Sequence, residues 1–324
     1  MHIVFALPEP AQSGGGGGSD YVGGLAPALR ALGHQVDVLT TAIPALPQGT
    51  VLVVDGMRLP DLQERLDELA ATGAVALVHH IAAAAGRDDG ARENVLAIER
   101  IMLPRMRRVI ATSQPVADRL SGEFDLPASA VMPGARDLPR AGPDPDRPLI
   151  LAIGVLTRRK RHDLLLQAVA RLTDLPWRLV IAGDANREPE HARALAAAIQ
   201  SLGLAERVEL WANPAPATLE AAWSAASVFA LASRWEGYPA AAAEALRRGI
   251  PTVVTDTGAA GTLIPLEAGA VCPVDDMATF GKCLRRLLSD HALRTDMAEA
   301  AWRVGQDLPS WQARAQDFVA LLES

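Results

Sequence analysis

Residues 233–254 read Ser233-Arg-Trp-Glu-Gly-Tyr-Pro-Ala-Ala-Ala-Ala-Glu-Ala-Leu-Arg-Arg-Gly-Ile-Pro-Thr-Val-Val254. An apolar run at 228–232 precedes the quoted stretch and predicts a strand, and its alanine-rich centre predicts a helix at 240–248. A glycine follows the helix, and 252–255 predicts a second strand. Strand, helix and strand in this order are typical of a parallel sheet that is covered by helices.

Two carboxylates stand eight positions apart in this segment. Glu236 lies in the loop before the helix and Glu244 lies within it. Since eight residues make just over two helical turns, Glu244 lies on the same side as the helix entry. The helix start offers free N–H groups and the positive end of the dipole. Carboxylates accept hydrogen bonds from sugar hydroxyls, so the pattern predicts a site for a polyhydroxylated ligand that carries phosphate.

The rest of the chain alternates strand and helix candidates in two runs, and its 324 residues suffice for two domains. A segment rich in Pro, Gly, Asp and Arg at 138–148 separates the runs. We therefore predict an α/β protein with two Rossmann-like, doubly wound domains. These are residues 1–140 and 149–309, with a linker at 141–148 and a terminal helix within 310–324.

Composition excludes several functional classes. A net charge of −7 argues against nucleic acid as a partner. The two cysteines make no disulfide framework, and with no signal-peptide pattern or bilayer-length apolar run we expect a soluble, cytoplasmic protein. No metal-ligand spacing and no Gly-x-Gly-x-x-Gly with a Rossmann-spaced acidic residue occurs, so we expect neither a bound metal nor a nicotinamide cofactor.

A basic turn follows the first strand of the second run, in the sequence Ile153-Gly-Val-Leu-Thr-Arg-Arg-Lys-Arg-His162. Four consecutive positive charges stand where a parallel strand ends. A diphosphate leaving group needs such neutralisation as its bond to a sugar breaks. The alternative is a solvated basic loop.

Two further features follow strands of the first run. Five consecutive glycines, including Gly15, Gly16 and Gly17, follow the first strand and could converge their N–H groups on an anion, although a flexible linker has the same composition. His79 and His80 end a strand at 74–78, where either imidazole could face a ligand. A structural role for these histidines is the alternative.

The segment 233–254 resembles the Glu-seven-Glu signature of retaining, nucleotide-sugar-dependent glycosyltransferases of family four, which have the GT-B fold. The resemblance implies two domains that face each other across a cleft, with the terminal helix packed back on the first. It also implies metal-independent, retaining transfer of a sugar from a UDP-, GDP- or ADP-sugar to an unidentified acceptor, which could be a small molecule, a glycan or a lipid. The diphosphate would help to remove the acceptor proton. The resemblance is strongest from about residue 149 onward.

The resemblance also implies roles for individual residues. Glu236 would hold donor-sugar hydroxyls, Glu244 would hold the ribose, and Lys160 matches the lysine that neutralises the diphosphate. The family's usual arginine position holds Val155, and Arg159 is the nearest substitute. A histidine at the position of His79 or His80 would contact the donor hexose, and the glycine loop would approach the donor phosphates. The remaining donor-binding candidates are Gly237, Tyr238, Pro239, Arg158, Gly154, Gly183 and Ala212.

Three alternatives stay open. The chain could carry out another GT-B chemistry, such as epimerisation or hydrolysis of a sugar nucleotide. It could be a non-catalytic sugar-nucleotide-binding subunit, which Val155 and the short first domain favour. The basic, apolar stretch at 100–108 could touch a membrane peripherally, although a buried helix with an arginine edge is the favoured interpretation.

Overall fold

The structure is a computed structural model that describes residues 1–8, 17–81 and 89–324. The chain forms two compact units. The first consists of Met1–Gly134 with Pro309–Ser324, and the second of Ala135–Leu308. Each unit contains a six-stranded sheet whose paired strands are all parallel, which confirms the predicted α/β class. Within the described ranges, no helix combines the length and apolar character that crossing a membrane requires.

The first unit has the strand order β2-β1-β3-β4-β5-β6. Its strands are β1 (His2–Ala6), β2 (Gln35–Leu39), β3 (Thr50–Asp55), β4 (Val75–Val78), β5 (Arg108–Ala111) and β6 (Ala128–Ala130). Its helices are α1 (Gly17–Ala31), α2 (Leu66–Ala71), α3 (Asp89–Met102), α4 (Gln114–Phe124) and the last helix of the chain, α12 (Trp311–Glu323). Short 3-10 turns at Gly56–Arg65 and Leu103–Arg105 complete the unit.

Helix α12 packs against α1 in the first unit through an aromatic contact. The rings of Trp311 and Tyr21 form a T-shaped pair with 5.4 Å between their centroids. A Cβ at Gly24 would overlap the Trp311 indole and one at Gly134 would overlap the Trp311 backbone, so only glycine leaves room for Trp311 at these positions. Phe318 of α12 is fully buried against Phe5 of β1. The last helix is therefore an integral part of this unit's core.

The second unit has the strand order β12-β11-β10-β7-β8-β9. Its strands are β7 (Leu149–Ile153), β8 (Arg178–Gly183), β9 (Val208–Ala212), β10 (Ala226–Leu231), β11 (Thr252–Thr255) and β12 (Gly269–Cys272). Its helices are α5 (His162–Val169), α6 (Pro189–Ser201), α7 (Pro216–Ala225), α8 (Ala240–Arg247), α9 (Ala260–Leu263), α10 (Met277–Ser289) and α11 (His291–Asp307). Each face of the sheet has its own core, because alternate strand residues point to opposite sides. Ile150 and Val228 belong to one core, and Leu151 and Phe229 to the other.

This strand order places a topological switch point between β7 and β10. The chain proceeds outward from β7 through β8 and β9 on one side, and from β10 through β11 and β12 on the other. The connections from the two central strands therefore run to opposite sides of the sheet, which in open α/β sheets leaves a crevice outside the carboxyl ends of those strands. In open α/β sheets such a crevice is where ligands bind.

The segment in which we predicted a linker packs on the second unit. The N–H groups of Ala141 and Gly142 each donate to a carbonyl of that unit, on Arg248 and Ser224, at 2.9 Å. The guanidinium of Arg140 lies 5.6 Å from the ring centre of Trp302. The two units divide after Gly134, ahead of the composition shift, because these contacts hold the irregular segment in place.

The ends of β7 and β8 approach too closely for a side chain at Gly183. A Cβ there would overlap the carbonyl of Gly154. We expect Gly183→Ala to lower the free energy of unfolding by about 1–3 kcal/mol, the usual cost of overpacking. Urea unfolding measures this change as a shift of the midpoint at constant slope. Gly142→Ala is the control, because a Cβ at Gly142 meets nothing within 4 Å. Equal midpoints for the two variants would contradict the packing argument.

Candidate ligand-binding site at the switch point

Glu236 is the centre of a buried polar cluster in the loop that follows β10. Its Oε1 accepts hydrogen bonds from Lys160 Nζ and from Ser233 Oγ, each at 2.5 Å. Ser233 is fully buried and Glu236 is 5% exposed. The structure thus brings together Glu236 and Lys160, which sequence reasoning had assigned to one ligand. The contribution of Ser233 was missed, although its place just after the strand could have suggested it.

Lys160 reaches this cluster from the loop that follows β7. It ends the 3-10 turn Arg158–Lys160. The N–H of Arg234 donates to the carbonyl of Arg159 at 2.9 Å, which ties the loop after β10 to the loop after β7. The guanidinium of Arg159 donates to the carbonyl of Trp235 and lies 3.6 Å from Glu236 Oε1. The two loops that leave the switch point are thereby fixed to each other.

A third loop, after β11, holds the backbone of Glu236. Ala259 N–H donates to the Glu236 carbonyl at 3.2 Å, and Thr257 Oγ1 donates to the Arg234 carbonyl at 2.7 Å. Gly258 lies between them with φ +53°, and a Cβ there would overlap the Glu236 carbonyl. Only glycine suits both this left-handed conformation and this close approach.

Burial and charge act in opposite directions on the central ion pair. Burial alone would raise the pKa of Glu236, but the charges of Lys160 and Arg159 outweigh it, so the pKa of this carboxyl lies below its ordinary value. Burial lowers the pKa of the Lys160 ammonium, and Glu236 offsets only part of that change. A second anion near Lys160 would therefore stabilise its charged form. Perturbed groups of this kind cluster at functional sites.

Three predicted donor-binding residues lie at the ends of neighbouring strands. Gly154 follows β7 beside the Lys160 side chain, where a Cβ would come within 3.0 Å of Cε. Gly183 ends β8 and pairs in register with Ala212, the last residue of β9. The carbonyl of Gly183 accepts from Asn213 N–H at 2.9 Å. The missing side chain of Gly183 makes room for the Gly154 carbonyl, and that of Gly154 makes room for the Lys160 side chain.

Glu244 occupies a different environment, within α8. Its Oε1 accepts from Nη2 and Nε of Arg248 at 2.9 and 3.2 Å. In the described part of the chain, no hydrogen bond or ion pair links Glu244 to Glu236 or Lys160. Burial raises the pKa of Glu244, and Arg248 counters part of that increase. The same loop and helix carry the remaining candidates of the segment, Gly237, Tyr238 and Pro239, and Pro239 is buried at the start of α8.

Arg158 lies beside the cluster rather than in it. Its N–H donates to Glu188 at 3.0 Å, and its side chain is exposed. It lines a cavity of about 180 Å³ together with Arg161, Asp163, His191 and Arg234. Asp275 pairs with both Arg161 and Arg234, a bridge that sequence analysis did not foresee. The turn at 158–161, with three arginines and one lysine, is thus divided between the buried cluster and this flanking cavity.

The candidates of the first unit have fewer described contacts. His79 Nε2 lies 3.2 Å from Oδ2 of the buried Asp55, and the His79 ring lies 5.5 Å from that of Tyr21. His80 follows at the end of β4 and is half-buried. Gly15 and Gly16 lie outside the described residues, and Gly17 begins α1. That His79 or His80 contacts a ligand stays a prediction, and which of the two does so stays open.

Metal ligation has no candidate among the residues described. In the ranges 1–8, 17–81 and 89–324, no three His, Cys, Asp or Glu side chains gather as ligands for a metal ion. The expectation of metal-independent chemistry remains a prediction.

Comparison with known proteins gives matches of sequence and of fold. The family described as glycosyl transferases group 1 matches residues 136–304. D-inositol 3-phosphate glycosyltransferase of Kineococcus radiotolerans is 31% identical over 210 residues, which cover 59% of this chain and 48% of that protein. Mannosylfructose-phosphate synthase of Agrobacterium fabrum is 28% identical over 182 residues, covering 54% and 40%. The chain thus spans less than half the length of these two relatives.

Solved structures match over nearly the whole chain. Sucrose-phosphate synthase of Thermosynechococcus elongatus has a TM-score of 0.85 at 20% identity, with 99% of this chain and 98% of that chain covered. Anabaena Alr3699/HepE in complex with UDP-glucose has a TM-score of 0.78 at 16% identity, with 100% and 99% covered. These likenesses show the two-domain GT-B fold, which confirms the predicted fold class.

Removal of the buried cation tests the electrostatics of the cluster. Lys160→Met leaves Glu236 buried without its main partner, and we expect it to lower the free energy of unfolding by about 3–5 kcal/mol at neutral pH. Arg178→Met is the control, because it breaks the exposed pair with Glu209 and should cost at most about 1 kcal/mol. Denaturant unfolding measures both variants.

The same variant has an expected pH dependence. In the wild type, the lowered pKa of Glu236 stabilises the fold above the ordinary value of 4.5, and this stabilisation is lost as pH falls through the folded-state pKa. Lys160→Met raises that folded-state pKa, so its folded state binds the proton at higher pH. The difference in free energy of unfolding between the wild type and Lys160→Met should therefore shrink as pH falls from the Glu236 pKa of the folded variant to that of the folded wild type. A difference that does not change with pH would contradict the account.

Proposed function

The chain belongs to the glycosyl transferases group 1 family, and from that premise we propose that it transfers a sugar from a nucleoside-diphosphate sugar to an acceptor. The observation that carries the proposal is the buried pair of Lys160 and Glu236, 2.5 Å apart at the switch point of the second unit. A buried ion pair rarely adds more stability than apolar residues of the same volume. A ligand that takes up one of the two charges explains why both are there.

The proposed roles follow from the hydrogen bonds and the charge that each side chain can offer a ligand. A carboxylate accepts hydrogen bonds from sugar hydroxyls, and Glu236 is held in place by Ser233 and by the loop after β11. The Lys160 ammonium would donate to the diphosphate as well as to Glu236. The negative charge of the diphosphate would raise the pKa of Lys160, which burial depresses. Arg159 already lies beside the same carboxylate, which supports it as the substitute for the arginine that Val155 replaces.

The other donor contacts are proposed for the remaining candidate residues. Gly154 and Gly183 at the ends of β7 and β8 would lie near the donor phosphates or ribose, and Ala212 at the end of β9 would flank the base. Glu244 would accept from the ribose, and the loop Gly237-Tyr238-Pro239 would lie along the sugar. His79 or His80 and the glycine loop, including Gly15, Gly16 and Gly17, would contribute from the first unit. These assignments rest on the resemblance described above.

We propose a retaining, metal-independent reaction. Lys160 and Arg159 would stabilise the charge that develops on the diphosphate as the glycosidic bond breaks. The acceptor would attack from the face that the diphosphate leaves, and a diphosphate oxygen would take the acceptor proton. Such a reaction needs no strong general base, and Glu236 would act by orienting the sugar. Names of relatives suggest acceptors to test first, namely D-inositol 3-phosphate and sugar phosphates.

Donor binding tests the proposal directly. A thermal-shift panel of UDP-, GDP- and ADP-sugars should reveal one stabilising nucleotide, worth about 2.7 kcal/mol at a hundredfold excess over the dissociation constant. Glu236→Gln should weaken that donor about 10- to 100-fold, since it replaces hydrogen bonds to a charged group. Glu299→Gln is the control, because Glu299 pairs with Arg140 at an exposed position of the same unit. Equal donor shifts in the wild type and Glu236→Gln would refute the assignment of Glu236.

Val155 favours one second candidate, a subunit that binds a sugar nucleotide without turning it over. Release of nucleoside diphosphate from the stabilising donor separates the two functions. We expect slow release without acceptor, faster release with the right acceptor, and a loss of both in Lys160→Met. Donor binding without any release under either condition would favour the binding subunit.

A further inference from the structure

Arg248 forms a buried bridge between two carboxylates. It follows α8 one turn after Glu244, and it is 1% exposed. Its Nη2 and Nε donate to Glu244 Oε1, and its Nη1 and Nη2 donate to the two oxygens of Glu220 in α7 at 2.7 Å each. The guanidinium lies 5.4 Å from the ring centre of Trp223. All three nitrogens of the guanidinium thus donate to a carboxylate.

This arrangement treats the two oxygens of Glu244 differently. Both hydrogen bonds from Arg248 go to Oε1, and none among the described residues goes to Oε2. The Glu244 side chain is 35% exposed, whereas that of Arg248 is 1% exposed. One oxygen is therefore fixed against the protein, and the other remains available to an incoming hydroxyl.

We propose that Arg248 is a positioning residue that holds Glu244 as an ionised acceptor for the ribose diol of the nucleotide. The inference rests on the proposed function, in which Glu244 binds the ribose. Neither the sequence pattern nor the relatives assign a role to Arg248. Its effect would be exerted through Glu244 alone, because the guanidinium is buried and its described hydrogen bonds go to the two carboxylates.

The charges around Glu244 favour this role. Burial raises the pKa of Glu244, the positive charges of Arg248 and Arg136 lower it, and the negative charge of Glu220 raises it. With both carboxylates ionised, Glu220, Arg248 and Glu244 together carry one net negative charge. An ionised carboxylate only accepts hydrogen bonds, whereas the protonated acid also donates. Ribose binding should therefore weaken as pH falls through the pKa of Glu244.

The pH dependence of nucleotide binding tests the inference. Calorimetric titration with UDP, GDP and ADP identifies the nucleotide that binds, and its affinity is then measured from pH 4 to pH 8. Arg248→Gln should raise the midpoint of the pH profile by about 1–3 units, because it removes an opposite charge in direct contact. Glu244→Gln should bind the nucleotide weakly, and its affinity should not show this midpoint between pH 4 and pH 8. Glu244→Gln combined with Arg248→Gln should bind no more weakly than Glu244→Gln alone, because the two residues act as one unit.

A second variant covers a failure of Arg248→Gln to fold. Glu220 is half-exposed and carries a like charge, so Glu220→Gln should fold and should lower the midpoint. Unchanged midpoints in the folded variants, or losses that add in the double variant, would overturn the positioning role and leave the proposed function intact. Absence of binding by all three nucleotides in the wild type would overturn both. Lower melting temperature with an unshifted pH profile would mean that Arg248 is only structural.

Discussion

The second unit is organised around the charge balance between Lys160 and Glu236. An unpaired carboxylate or ammonium is very costly to bury, so each of these groups requires the other in the folded protein. Glu236 Oε1 accepts from Lys160 and Ser233, and the Glu236 carbonyl accepts from the loop after β11. Three loops are held in place by contacts to one residue. A ligand that competes for either charge therefore acts on all three loops.

The sheet explains why these loops meet. Parallel strands end at the same edge, and the order β12-β11-β10-β7-β8-β9 places β7 beside β10 although 78 residues separate Leu149 from Ser227. At such a switch point, open α/β sheets bind their ligands in the crevice outside the carboxyl ends of the strands. Glycine is required at two of these strand ends and loops, since neither Gly183 nor Gly258 has space for a Cβ. Fold and site are therefore set by the same constraint, which is the close approach of backbone at the strand ends.

Much of this could be predicted from the sequence. The periodicity of apolar residues predicts the strands and helices of both units, and the resemblance to glycosyltransferases of family four implies that the turn at 158–161 and the loop at 233–239 share a site. Other features arise only from tertiary contacts. The role of Gly258 depends on a carbonyl 22 residues away along the chain, that of Asp275 on two arginines of separate loops, and that of Arg248 on Glu220 in another helix. Composition indicates a linker at 141–148. It does not reveal the backbone hydrogen bonds that Ala141 and Gly142 make with the second unit, because those depend on the folded structure.

The central claim is that the buried ion pair is a ligand site. A crystal structure with the nucleoside-diphosphate sugar that stabilises the protein tests this most directly. The account predicts a donor phosphate within hydrogen-bond distance of Lys160 Nζ, and a sugar hydroxyl on the carboxylate of Glu236. A donor bound elsewhere, with Lys160 and Glu236 still paired at 2.5 Å and no ligand atom near either, would contradict it.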